Sequence, residues 1–403
     1  MIKIAFIGQK GIPVSQGGVE THVEELSVRL AKIGHDVIVY TRTPWVPKEY
    51  KKYEQVHLIS LPSLKTKNLD AITHSFLAVF HAIFKEKVDI IHFQGVGPSL
   101  LSWLPKILSR KTKVVATVHS ADWEHQKWSF FAKNMLKLGA RFACLFADDA
   151  IAVSRSLQNF CLANYRGAAT YIPNGVSIPE KNNAQSEKIL KAFNLEKNKY
   201  LLVVSRLVKH KGIHYLIEAF KDIKSNKKFA AYKLVIVGST AFTEDYQKFL
   251  LTLTRGRSDI VFTGVQTGAN LDVLFRHSYL YVQPSESEGL SIAILEAMSY
   301  GKSILVSNIP ENFELISGNT ETGAVGFDFE NKNVIDLTKK IIHLLNEPRL
   351  VHQVGLKAKN YVRLYYNWEE ITYRTEKIYR NIIKIKDKLK QAKSRLLVIE
   401  QKA

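Results

Sequence analysis

Cysteine is scarce in this chain. Cys144 and Cys161 are the only two in 403 residues, they form no C-x-x-C pair, and both sit in apolar helical patterns, where a thiol is usually a small buried hydrophobe. Neither a disulfide nor a metal site is indicated. Long apolar runs are lacking too: Phe76 to Phe84 is about half of the ~18 residues that cross a bilayer and contains His81, so no transmembrane helix is expected. The chain opens on Met1-Ile2-Lys3-Ile4-Ala5-Phe6-Ile7-Gly8, a buried-strand pattern rather than a basic segment followed by a cleavable apolar one, which predicts a cytoplasmic protein. Acid is the minority charge, with 37 Asp and Glu against 57 Lys and Arg and a net charge of +20. That imbalance favours a partner rich in negative charge, an anionic lipid surface, a lipid-linked phosphate or nucleic acid, over a merely solvated surface. No recognisable nucleic-acid-binding motif accompanies it. What is present is the composition of a globular protein, 46% hydrophobic and long enough for two or three domains.

The N-terminal half alternates strands and helices. Ile2 to Gly8 reads as a strand, a loop with Gly11, Pro13, Gly17 and Gly18 follows, and Val19, Val23, Leu26 and Leu30 mark the core face of a helix to about Gly34. His22 and Glu25 lie off that face and read as solvated. The loop is not the dinucleotide GxGxxG, and the second strand, Asp36 to Thr41, ends in Tyr40-Thr41-Arg42 without an acidic residue for a ribose, so hydride chemistry is not expected. Strands at Val56 to Leu61, Val88 to Phe93 and Lys113 to His119, with helices at Ala71 to Phe84 and Ser99 to Leu108 between them, predict a parallel doubly wound α/β sheet with ligands at the carboxyl ends of its strands. His119 stands at such an end, as His92 does one strand earlier. Asp149 to Val153 and Thr170 to Ile172 read as the last strands of this half, and Pro173-Asn174-Gly175 and the polar stretch Pro179 to Glu187 read as a break and a linker.

The second half restarts the alternation at Tyr200 to Ser205. Arg206 and Lys211 follow at a strand-to-helix turn, where an arginine fork and a lysine point charge suit a diphosphate. Strands at Leu234 to Gly238 and Ile260 to Gly264 end in glycine. The chain centres on Pro284-Ser285-Glu286-Ser287-Glu288-Gly289-Leu290-Ser291-Ile292-Ala293-Ile294-Leu295-Glu296-Ala297-Met298. Glu288 falls in a turn after a short buried strand, Glu296 one to two turns inside the following helix, and the helix mouth at Gly289, Leu290 and Ser291 offers free N–H groups to an anion.

This frame, two glutamates with seven residues between them, resembles the nucleotide-sugar site of retaining glycosyltransferases of the GT-B type, family 4, and the match extends to Gly17-Gly18-Val19-Glu20-x-His22-Val23, His119, Arg206 and Lys211 in order. The family commonly has Asn-Gly-Val-Asp where this chain has Asn174-Gly175-Val176-Ser177. The resemblance implies two facing Rossmann-like domains, here 1–180 for the acceptor and 190–366 for the nucleotide sugar, with residues 367–403 as a C-terminal helix crossing back to the first. It implies transfer of a sugar from a nucleotide sugar, a UDP-sugar above all, to an acceptor hydroxyl in the cleft, with neither metal nor other cofactor, and no Asp-x-Asp motif argues otherwise. By the same resemblance Arg206 and Lys211 grip the phosphates, Glu288 and His119 orient the sugar, Glu296 takes the ribose, Gly17 and Gly18 approach the diphosphate or acceptor, and Gly264 borders the base.

Charge points to a lipid-linked acceptor in cell-envelope polysaccharide synthesis, at the inner face of a membrane, with a free saccharide as the other choice. Trp123 to Phe146, with Trp128, Phe131, Met135, Leu138, Phe142 and Leu145 among lysines, reads as a basic amphipathic helix that faces either lipid or the core. The final helix from Trp368 carries a seam at Ile378, Ile382, Ile385, Leu389, Ala392, Leu396 and Ile399; its later part is open to a homodimeric coiled coil or a membrane surface. Two other functions compete: a nucleotide-sugar epimerase of the same fold, against which the combined Arg206, Lys211, Glu288 and Glu296 speak, and a non-catalytic basic module for lipid or nucleic acid, which leaves the ordered motifs unexplained.

Overall fold

The computed structural model describes residues 1–14, 17–43, 45–64, 66, 69–124, 129–165, 167, 169–180, 186–240 and 244–400, the last sixteen, 385–400, as backbone only. The chain forms two compact units, one of residues 1–173 with the helix from Trp368 onward, the other Asn174–Asn367. The first boundary thus falls at Pro173, ahead of the linker read from composition at Pro179 to Glu187.

Among its described residues the first unit holds eight strands: β1 (Lys3–Ile7), β2 (Asp36–Arg42), β3 (Lys52–Tyr53), β4 (Val56–Leu61), β5 (Ile90–Gln94), β6 (Lys113–Val118), β7 (Asp149–Ala152) and β8 (Ala169–Tyr171). Their order is β3-β4-β2-β1-β5-β6-β7-β8, parallel except for the antiparallel β3–β4 pair. Strands buried on both faces, such as Ile4-Ala5-Phe6-Ile7, are near-continuous apolar runs because helices cover each side. The sequence runs outward from β1 in one direction and from β5 in the other, so their carboxyl ends form the crevice where such sheets take ligands.

The C-terminal helix, Trp368–Glu400, packs Trp368, Ile371, Ile378, Tyr379 and Ile382 onto this unit's core, which also holds Val23, Leu26 and Leu30 of the helix Gly18–Lys32. That packing corrects the reading of His22. A helix facing only the sheet would leave His22 in solvent, but the terminal helix creates a second buried side, and His22 is 2% exposed with its ring edge-on to Trp368 at 5.7 Å. Glu25 is half-buried and pairs with Arg29. The side chains of Ile385 and of the seam beyond it lie outside the described residues.

Two helices differ from their sequence patterns. Ser99 to Leu108 is two short helices, Val96–Ser99 and Leu104–Leu108, the second with Pro105 in its first turn. In the basic amphipathic stretch Trp123 is buried in a single 3-10 turn, Asp122–Glu124, and the helix proper is Phe130–Phe146, capped by Ser129; Lys127 and Trp128 fall outside the described residues. Its fully buried face is Gly139, Ala140 and Ala143, while Phe130 and Phe131 are 84% and 72% exposed. Small residues allow closer helix packing than an aromatic stripe would, so the stripe is not the face the unit buries.

The second unit has β9 (Tyr200–Val204), β10 (Lys233–Val237), β11 (Ile260–Gly264), β12 (Leu280–Gln283), β13 (Ile304–Ser307) and β14 (Phe327–Phe329), all parallel in the order β11-β10-β9-β12-β13-β14. Leu201, Val203, Leu234 and Ile236 pack on Leu216, Phe220, Leu337 and Ile341 of flanking helices. Here the order reverses between β9 and β12. Among the described residues no helix is long and apolar enough to cross a membrane.

Candidate active site

The segments bearing Arg206, Lys211 and Glu288 leave the two strands that flank the reversal in the second unit. After β9 the chain exposes Arg206 and makes a 3-10 turn, Lys209–Lys211; after β12 it enters the Pro284–Ser291 loop. Several contacts zip these loops together. The Glu286 N–H donates to the His210 carbonyl at 2.8 Å, and the Tyr215 hydroxyl donates to Glu286 at 3.0 Å. Gly212 sits at φ +66, and a Cβ there would lie 1.9 Å from the Pro284 carbonyl oxygen, so glycine alone permits both the backbone angle and the approach.

The approach places Lys211 Nζ 2.5 Å from Glu288 Oε1, with both side chains largely buried. Gln283 Nε2 donates to the same oxygen at 2.9 Å and to Ser285 Oγ at 2.8 Å, while the Tyr281 hydroxyl donates to Gln283 Oε1 at 2.5 Å. Burial by itself raises the Glu288 carboxyl, but Lys211 and the hydrogen bonds from Ser285 and Gln283 outweigh it and hold the pKa below the usual range. Glu288 is thus a fixed anion at neutral pH. Lys211 has three N–H donors, and the glutamate contact leaves others for a ligand.

Glu296 is half-buried on the helix Ile292–Ser299, whose N-cap is Ser291. The structure brings it to the same neighbourhood as Glu288: burial first, then the Glu288 charge and more weakly that of Glu296, push the Tyr281 hydroxyl far above its ordinary pKa. Gly289, Leu290 and Ser291 are buried, and Asn174 Nδ2 donates to the Leu290 carbonyl at 3.0 Å. Gly264 ends β11 with φ +71, its carbonyl accepting the Gly238 N–H at 2.9 Å. The Arg206 guanidinium has no hydrogen bond or ion pair among the described residues.

In the first unit Gly17, at φ +116, caps the helix that begins at Gly18, and Glu20 and Glu24 accept the N–H groups of Lys10 and Val14 in the preceding loop. His119 follows β6 and is 9% exposed; its Nε2 lies 2.8 Å from Gln94 Oε1 and its ring meets His22 edge-on at 4.8 Å. Burial, with His22 and His92 nearby, keeps His119 neutral well below the ordinary histidine pKa. His92 is fully used inside, 2.7 Å from both Tyr379 Oη and Thr117 Oγ1. Its role is packing.

The sequence reading passed over Gln283, Ser285, Asn174 and Gln94. A glutamine ending an apolar strand run, as in Leu280-Tyr281-Val282-Gln283 and Ile90-Ile91-His92-Phe93-Gln94, is the signal that could have marked two of them, since a buried amide needs partners. Asn174 looked like a turn residue. Among the described residues no cluster of three or more His, Cys, Asp or Glu is arranged to hold a metal ion.

Residues 185–361 match the family model for glycosyl transferases group 1, and residues 16–179 match that for glycosyltransferase family 4. The capsular polysaccharide biosynthesis glycosyltransferase CapM of Staphylococcus aureus is 24% identical over 93% of this chain and 95% of its own. An Escherichia coli UDP-Gal:alpha-D-GlcNAc-diphosphoundecaprenol alpha-1,3-galactosyltransferase is 26% identical over 81% of this chain and 83% of its own. Among solved structures Anabaena HepE in complex with UDP superposes with a TM-score of 0.75 over 94% of this chain and all of that one, at 18% identity. The two family models together run from residue 16 to residue 361, and with the paired parallel sheets they make this chain a GT-B glycosyltransferase of the group 1, family 4 type.

Proposed function

We propose that this glycosyltransferase is a retaining, metal-independent hexosyltransferase that moves a sugar from a UDP-sugar to a hydroxyl of a lipid-linked saccharide. The observation that carries the reading is the site at the β9 and β12 ends, where exposed Arg206 and the Glu288-paired Lys211 form a preorganised positive site for a leaving diphosphate. Arg206 forks the phosphate oxygens and Lys211 adds a point charge, so charge that develops as the sugar–phosphate bond breaks meets fixed cations. The helix mouth at Gly289 to Ser291 adds N–H groups. Glu288 orients the sugar, Glu296 the ribose, and Gly264 borders the base. In front-face transfer the leaving phosphate itself takes the acceptor proton, and no side chain acts as a dedicated base. His119, and the loop at Gly17 and Gly18, serve the sugar and acceptor from the first unit. The UDP-bound HepE and the galactosyltransferase named for UDP-Gal and a diphosphoundecaprenol acceptor support this choice of donor and acceptor.

The lipid-linked acceptor is further favoured by the charge of +20 and by Phe130 and Phe131, which project beside Lys133 and Lys137 from the helix Phe130–Phe146. Such a face suits the inner surface of an anionic membrane. The test is transfer from a panel of nucleotide sugars in EDTA, with bacterial membrane extract as acceptor, by the wild type and Glu296→Ala. Transfer from one UDP-sugar with retained anomeric configuration, lost in the variant, is expected. Inertness toward every nucleotide sugar, or an inverted product, overturns the proposal.

A further inference from the structure

Gln94 ends β5, one of the two strands flanking the crevice of the first unit, and His119 follows the neighbouring strand β6. The other flanking strand arrives at the same place: a Cβ on Gly8, at φ +123, would lie 2.7 Å from the Gln94 carbonyl oxygen. The glutamine is 2% exposed, and its two polar atoms are used unequally. Oε1 faces His119 Nε2 at 2.8 Å, whereas Nε2 is buried with no hydrogen-bond partner among the described residues. A carbonyl oxygen only accepts, so the imidazole proton resides on His119 Nε2 and the Nδ1 lone pair is left as an acceptor. Nδ1 itself has no hydrogen bond among the described residues. A buried amide with unused donors is costly unless a ligand or water completes it.

We propose that Gln94 is a positioning residue of the transfer site: it locks His119 in the Nε2–H form, so that Nδ1 accepts a hydrogen bond from a sugar hydroxyl, while its own free amide donates to the same substrate. This rests on the reading of His119 as the residue that touches the sugar. His22 and His92 are the other titratable rings beside His119; His92 is held by Tyr379 and Thr117, and His22 meets it through a ring edge. Among the described residues Gln94 alone supplies a hydrogen-bond acceptor to Nε2.

The experiment follows the histidine nitrogens of the full chain, 15N-labelled at histidine, by NMR from pH 5.5 to 8, with His119→Asn for assignment and with Gln94→Glu and Gln94→Met. Steady-state transfer and binding of UDP alone are measured on the same proteins. Wild-type His119 is expected to be neutral and protonated at Nε2. Gln94→Glu sets a carboxylate against that N–H and raises the His119 pKa by about 1 unit or more, moving the acid limb of the transfer profile upward with it. Gln94→Met loses the single form and lowers kcat/KM about tenfold, with UDP affinity unchanged, since a substrate hydrogen bond is lost rather than the phosphate site. An Nδ1–H tautomer in the wild type, a His119 titration indifferent to Gln94→Glu, or wild-type kcat/KM in a folded Gln94→Met overturns the proposal. The tautomer is read even if no nucleotide sugar reacts, and it is read in the wild type even if a variant does not fold. Failure of the glycosyltransferase chemistry therefore remains separable from failure of this inference.

Discussion

Replacing Lys211 by methionine removes one partner of a pair whose side chains are 13% and 7% exposed, leaving the Glu288 carboxylate buried with Gln283 and Ser285 as its remaining hydrogen-bond donors among the described residues. Breaking a buried pair on one side costs about 3–5 kcal/mol, and the surviving hydrogen bonds place this case near 3 kcal/mol. With a urea dependence of about 2–3 kcal/mol per molar, the unfolding midpoint of the second unit falls by roughly 1 M. The tryptophans separate the two units: Trp45, Trp103, Trp123 and Trp368 belong to the first, and the sequence from Asn174 to Asn367 has no tryptophan. Urea titration followed by far-UV circular dichroism should show the shift, while tryptophan fluorescence should keep its midpoint. Adding Glu288→Gln should restore about 2 kcal/mol, because the stranded charge is gone. The sign with pH also follows. In the wild type the Glu288 pKa is depressed, so its contribution is present above the unfolded carboxyl pKa and lost as pH falls. Without Lys211 burial dominates, the carboxyl takes up a proton more readily, and the deficit should shrink from pH 7 toward pH 5. A midpoint shift below about 0.3 M, or one seen in fluorescence instead, would refute the reasoning.

Gly212→Ala forces a left-handed residue and a Cβ 1.9 Å from the Pro284 carbonyl oxygen; it should destabilise the second unit by about 3 kcal/mol or more and weaken UDP binding, and a wild-type circular-dichroism melt would contradict this. In the first unit burial lowers His74 to about 4 and holds His92 and His119 well below 6.5. Groups with depressed folded pKa values stabilise fully above the unfolded value and lose that contribution as pH falls below it. Each should therefore remove about 1.4 kcal/mol per pH unit under pH 6.5, seen as a falling tryptophan-fluorescence midpoint between pH 6.5 and 5; a flat profile there counts against neutral burial.

The alternation of apolar strands with helical patterns sufficed to anticipate two parallel sheets, because strands covered on both faces leave an unambiguous signature, as in Leu201 to Val204. The Glu288 and Glu296 frame was equally legible, since helix mouth, glycine and carboxylates are consecutive. What stayed hidden depends on residues distant in sequence. His22 reads as solvated until Trp368 arrives from 346 positions away, and Gln94 means little until β6 sets His119 against it. Nor could spacing reveal that Lys211 pairs with Glu288, because the contact follows from the reversal of strand order between β9 and β12. The aromatic stripe of the basic amphipathic segment left open whether it faces lipid or the core. Its period was visible, but burial went to Gly139, Ala140 and Ala143.

The most direct test of the central claim is calorimetric titration of UDP into the full chain and into Arg206→Ala, in EDTA. Arg206 is exposed and has no hydrogen-bond or ion-pair partner among the described residues, so its loss should leave the fold intact and remove only contacts to the diphosphate. Binding in the wild type with affinity reduced about 10- to 100-fold in the variant, the worth of one charge-assisted contact, is the predicted result. No binding of UDP, or equal affinity in both proteins, would contradict the assignment of the β9 and β12 ends as the nucleotide-sugar site.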